Sequence, residues 1–187
     1  MAITTRNLTY DDLEAIPQER EGDRHEIIDG ELVVTPSPIP HHQDVSGNIF
    51  FALQQVVRAQ KLGKVYSAPI DIRFTPDNVL IPDIIFIAQD RLHLIGPRAV
   101  DAPPDLVVEI LSLGTHRRDL TVKRDLYAQF GVHEYWVVDP EARTVSVLSL
   151  TGDRYEPVPP GDDGAIASRV LPGLTLALNA VFAGVQQ

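Results

Sequence analysis

The seven residues DLVVEIL at 105–111 constrain this chain more than any other segment. A short, nearly continuous apolar run of this kind reads as a strand covered on both faces. It is followed by HRRDLTVKRDLYAQF, in which Leu120, Leu126, Tyr127 and Phe130 recur at helical spacing and point inward, with Gly131 as the stop. The strand HEYWVVD comes next. Strand 105–111, helix 117–130 and strand 134–139 make a βαβ unit, which predicts parallel strands and a right-handed crossover. Glu109 sits inside the first of these strands. A carboxylate there cannot reach solvent unless the strand end opens on a cleft, and burying it unpaired is costly. It reads as a metal ligand or general acid/base, or else as a partly exposed edge residue or the ion-pair partner of Arg117 or Arg118.

The remaining elements build around this unit. Thr9-Tyr10-Asp11-Asp12 resembles a capping box opening a short helix that ends near Pro17. In HEIIDGELVV, Asp29-Gly30 predicts a type I′ hairpin between strands near 24–28 and 31–35. A helix over about 41–60 follows, with Val45, Ile49, Phe50, Leu53, Val56 and Val57 on its inner face and Gly63 just past its end. VYSAP, IDIRF and VLIPDIIFI read as strands, the last two around a turn at Pro76-Asp77-Asn78. A hairpin joins strands near 143–149 and 154–158, and the tail reads as loop, short strand and closing helix. The expected fold is α/β (or α+β), a mixed central sheet flanked by helices with an N-terminal β-hairpin, in a single domain spanning 1–187.

Composition narrows the chemistry. The 187 residues, 44% hydrophobic and 22% charged, fit one ordinary globular domain with a real core. No apolar run is long enough to span a bilayer, and the N-terminus has no signal-like apolar stretch, so the expected location is cytoplasmic. The chain has no cysteine, so a metal must be held by oxygen or imidazole, which favours Mg²⁺ or Mn²⁺. The net charge of −10 argues against broad affinity for a phosphate backbone, although metal bound at a carboxylate site would cancel part of it.

Two further residues fit a hydrolytic set. Asp83 interrupts LIPDIIFI, and Pro82 beside it cannot donate a ladder hydrogen bond, so this point is an edge, a bulge or a strand start. An Asp that merely satisfies local backbone groups is the plainer reading. Lys123 lies four residues after Asp119 and shares its helix face. A solvated salt bridge is the plainer reading here too. A helix packed back over its own strand, however, would let Lys123 lean towards that strand's carboxyl end. Two strand carboxylates could bind Mg²⁺, which activates water, while lysine offsets charge on the phosphate.

HEIIDGELVVTPSPIPHHQ, IPDIIFI, PPDLVVEILS and RRDLTVKRDLYAQFGVHEYWVVDP together resemble the Uma-type restriction endonuclease family, a bacterial branch of the PD-(D/E)XK nuclease superfamily, from about Leu8 to Phe182. The resemblance implies a restriction endonuclease-like fold. It makes Pro82-Asp83 the PD element and Glu109 the acidic element, with both carboxylates binding the metal. The superfamily's usual lysine position is Leu111 here. In this branch the lysine comes from the following helix, which selects Lys123. Glu26 matches an early acidic position and is an auxiliary candidate. Asp71, Asp119 and His42 are supporting candidates, whereas Tyr135 and Trp136 read as core. The implied activity is a Mg²⁺-dependent DNA endonuclease, for which a homodimer is the simple route to cutting both strands. A catalytically inactive nuclease-fold scaffold, or a hydrolase of RNA or small phosphoesters, are the alternatives.

Overall fold

The segment VLIPDIIFI, which reads as one strand, is two. In the computed structural model, which describes residues 7–17, 22–112, 119–161 and 163–185, Pro82 marks the point where the chain leaves one sheet and enters another. The smaller sheet is antiparallel. It contains β1 (Arg24–Ile28), β2 (Glu31–Thr35), β4 (Ile72–Thr75) and β5 (Asn78–Leu80) in the order β2-β1-β5-β4. The larger sheet contains β3 (Gly63–Ser67), β6 (Ile84–Ala88), β7 (Leu106–Ile110), β8 (Glu134–Asp139), β9 (Thr144–Thr151) and β10 (Arg154–Pro157). Its order is β10-β9-β8-β7-β6-β3, and it is mixed, because β7 and β8 run parallel while their neighbours pair antiparallel. The expected single mixed sheet is therefore a mixed sheet plus a second, antiparallel one that grows from the N-terminal hairpin. Asp29 and Gly30 both take positive φ, as a type I′ turn requires.

Helices close one face of the large sheet. Helix α1 (Pro40–Gln60) lays Val45, Ile49, Leu53 and Val57 over Phe86, Leu106, Val108 and Trp136. On the opposite face, Ile85, Val107 and Tyr135 meet Ile28, Ile72 and Leu80 from the small sheet. Leu126 and Tyr127 of α2 (Arg124–Gln129) join them there. Strands β6 and β7 are thus covered on both sides, which explains their unbroken apolar sequence. Near the C-terminus an Ile166–Leu176 bridge precedes the single turn α3 (Leu178–Val181). No described helix is long and apolar enough to cross a membrane.

Two expectations change in detail. The helix expected over 117–130 begins, in the described residues, as a π-turn from Asp119 to Lys123 before becoming α2. The wider turn rotates the helix phase, so Leu120, expected inward, is exposed, and Lys123 takes the inward position. Gly63 does not cap α1. Lys61 supplies the left-handed residue at φ 55°, and Gly63, at φ 150°, opens β3 where an added Cβ would collide with the Ile87 carbonyl oxygen.

Substitutions at these two positions should have opposite signs. Gly63→Ala should cost about 2 kcal/mol through strain and collision. Lys61→Gly should gain about 1 kcal/mol by relieving a left-handed residue that carries a Cβ. Urea denaturation midpoints of both variants check this.

Candidate active site

The change of sheet at Ile81-Pro82-Asp83 leaves backbone groups without ladder partners, and charged side chains supply them. The Ile81 N–H donates to Glu26 Oε1 at 2.8 Å, and Arg24 reaches the Ile81 carbonyl at 3.5 Å. Strand β6 stops pairing with β7 at Ile84–Val108. Beyond that point Asp83 Oδ2 accepts the Ile110 N–H at 2.8 Å, replacing the missing ladder acceptor. Of the open readings of Asp83, the strand start is the one observed. Its bond to a local backbone group is part of a larger arrangement.

Five residues singled out from sequence, Glu26, His42, Asp83, Glu109 and Lys123, converge here. Glu26, Asp83, Glu109 and Lys123 are each at most 3% exposed. Lys123 Nζ lies 2.8 Å from Glu26 Oε1 and 3.0 Å from Glu109 Oε1, so it is an interior ion-pair partner of two carboxylates, not a solvated surface lysine. Asp83 is bound by the Arg24 guanidinium at 2.8 Å and by His42 Nε2 at 3.1 Å. Burial pushes the Asp83 carboxyl up in pKa. The His42 hydrogen bond and charge, the Arg24 guanidinium and the Ile110 N–H outweigh it and hold the group down at about 2.

Sequence reasoning missed two neighbours. Arg24 lies two residues before Glu26 on β1, and the period of two places both on one face, a signal that was available. Burial lowers the Arg24 pKa, yet the charges of Asp83, Glu109 and Glu26 raise it overall. Tyr127, read as core, also donates its hydroxyl to Glu109 Oε1 at 2.6 Å. It lies one helical turn after Lys123, so both reach the same carboxylate. Burial, and then the charges of Glu109 and Glu26, keep that phenol protonated well above its ordinary range.

The other candidates fall elsewhere. Asp71 accepts the Tyr10 hydroxyl at 3.1 Å, near Arg98, and the structure does not bring it to the Asp83 cluster. The Asp119 side chain, and Arg117 and Arg118, lie outside the described residues. Tyr135 and Trp136 are fully buried core residues.

These side chains meet at a switch between two sheets of a mixed α/β fold. The sequence matches the family described as "Uma2: Putative restriction endonuclease" over residues 9–179, and the chain belongs to that family. A crystal structure titled a putative nuclease of DUF820 from Anabaena variabilis superposes with a TM-score of 0.75 at 22% identity. The match covers 94% of this chain and 97% of that one. No curated protein matches the sequence.

The donor set can be weighed against a metal ion. Among the described residues no three His, Asp or Glu side chains gather closely enough to enclose an ion. Mg²⁺ does not need such a cage, because it is commonly held by one or two carboxylates and completes its shell with water and substrate oxygens. The cluster provides three buried carboxylates, Glu26, Asp83 and Glu109, and among the described residues Arg24, Lys123 and the His42 imidazole bond to them. Their anionic oxygens are donors of the kind a hydrated hard cation takes.

Asp83 also has a consequence for stability. Its folded pKa of about 2 lies below the unfolded value of 3.8. Its contribution, on the order of 2 kcal/mol, is therefore present above pH 4 and lost as pH falls through 2. Thermal melts between pH 5 and pH 2 should show a steeper loss for the wild type than for Asp83→Asn; equal slopes would contradict the assignment.

Proposed function

We propose that the chain is a Mg²⁺- or Mn²⁺-dependent endonuclease that hydrolyses DNA phosphodiester bonds. Asp83 and Glu109 are the metal-holding carboxylates, Lys123 the catalytic cation and Glu26 an auxiliary carboxylate. The observation that carries this reading is the buried meeting of Glu109, Lys123 and Glu26 beside Asp83, charges that a purely structural core has little reason to assemble. The family's description as a restriction endonuclease points the same way.

When bound, the ion would polarise the phosphodiester and activate water for attack. The protein's part is to place charge and hold it still. Arg24, His42 and the Ile110 N–H keep Asp83 anionic and fix its orientation. Tyr127 and Lys123 both bond Glu109 Oε1, which leaves that carboxylate little rotational freedom. Held by two carboxylates, the Lys123 ammonium is placed to offset charge that builds on the phosphate oxygens. One such site cuts one strand, and a homodimer would supply the second cut of a duplex.

One observation favours a scaffold without activity: both oxygens of Asp83 already bond to protein groups. Cleavage assays separate the two readings. Wild-type protein should nick plasmid with Mg²⁺ or Mn²⁺ and not with EDTA. Asp83→Ala, Glu109→Ala and the shape-preserving Glu109→Gln should abolish the activity. Lys123→Ala should lower it at least about 100-fold, with melting curves to establish that each variant is folded. Protein freed of contaminating nuclease that cuts no DNA or RNA under any of these conditions would leave the scaffold reading standing.

A further inference from the structure

Asp83 forms part of the wall of a half-open surface cavity of about 450 Å³ on the α1 side of the large sheet, and neither Glu109 nor Lys123 lines it. Its volume falls in the lower range of small-ligand sites. Phe50 and Pro69 give it apolar walls, and Ser46 and Ser67 give it hydroxyls. Two features of this cavity have no explanation in the packing of the fold. Arg24 Nε and His42 Nδ1 are buried and find no hydrogen-bond partner among the described residues, and both residues line the cavity. Gly47 lies in the interior of α1, where glycine weakens a helix relative to alanine. An added Cβ there would meet nothing within 4 Å, so no neighbour requires the glycine, and it also lines the cavity.

We infer that this cavity receives one unpaired nucleotide of a DNA or RNA strand, next to the phosphate to be cut, and that the protein prefers single-stranded substrate to continuous duplex. The Arg24 guanidinium and the His42 imidazole, both on the cavity wall, suit the oxygens of a phosphate diester. Apolar walls including an aromatic ring, with a few hydroxyls, suit a base. The glycine keeps the volume clear. A base inside a duplex is stacked and reaches such a cavity only by extrusion, which disfavours duplex. The net charge of −10 points the same way, since a chain this acidic gains little by tracking a long phosphate backbone and must draw affinity from a local pocket. The inference rests on the nuclease reading but can fail independently of it.

The test is fluorescence anisotropy with three labelled 12-nucleotide probes of one sequence: single-stranded DNA, single-stranded RNA and blunt duplex DNA. The full-length wild type, Gly47→Leu and, on the same helix away from the cavity, Ala59→Leu are compared, with cleavage of the same probes in Mg²⁺. Single strands should bind at least 10-fold more tightly than duplex. The DNA and RNA arms identify which single strand is preferred. Gly47→Leu should melt at a higher temperature yet bind single strands at least 10-fold more weakly, and Ala59→Leu should bind like wild type. Duplex binding as tight as single-strand binding, Gly47→Leu binding like wild type, or no binding of any probe would each overturn the inference. If single strands bind as described but nothing is cut, the pocket stands and the nuclease reading falls. If DNA is cut while Gly47→Leu binds and cuts like wild type, the nuclease reading stands and the pocket falls.

Discussion

A chain that changes sheets in the protein interior must satisfy the backbone groups it strands there, and this constraint organises the rest of the structure. Pro82 cannot serve either ladder, so β5 ends and β6 begins around it. Water cannot reach the peptide groups at the switch, and leaving them unpaired would cost about 1–3 kcal/mol each. The side chains that meet the need are charged: Glu26 takes the Ile81 N–H, and Asp83 takes the Ile110 N–H. Once these carboxylates are buried, they require cations, which Arg24 and Lys123 provide.

Structure and proposed chemistry are therefore hard to separate at this point of the fold. The contacts that hold the sheet switch together also hold Asp83 anionic and Glu109 fixed. Among the described residues Arg24, Lys123 and His42 bond to three buried carboxylates, and Arg24 Nε and His42 Nδ1 lack hydrogen-bond partners. Apolar residues of similar volume would strand the Ile81 and Ile110 N–H groups, but uncharged acceptors could satisfy them without the cost of burying ions. Retaining the charges makes sense if a ligand completes the set, cation on one side and phosphate diester on the other.

Much of this was legible in the sequence, and the gaps have physical causes. The βαβ unit, the hairpin and α1 follow from apolar periodicity and turn chemistry, which act locally. Glu109 stood out because a carboxylate in LVVEIL breaks its surroundings. The division of VLIPDIIFI between two sheets was not legible, because which strand pairs with which is decided by long-range contacts; Pro82 alone signalled that something ended there. Leu120 was misplaced because periodicity assumes α geometry and the π-turn adds a residue to the cycle. Arg24 could have been found from its two-residue spacing to Glu26. Tyr127 could not, since a buried tyrosine reads as core until its hydroxyl is located. The pairing of His42 with Asp83 needed the packing of α1 against the sheet, which no local pattern encodes.

The central claim is that Asp83 and Glu109 together hold a divalent ion. The most direct measurement is anomalous diffraction from crystals grown with Mn²⁺. The account predicts a peak bounded by both carboxylates, at roughly 2.0–2.3 Å from their oxygens, with at least one of the Arg24 and His42 contacts to Asp83 exchanged for the ion. Asp83 and Glu109 keeping all their protein contacts, with Mn²⁺ found elsewhere or nowhere at concentrations that support cleavage, would contradict it.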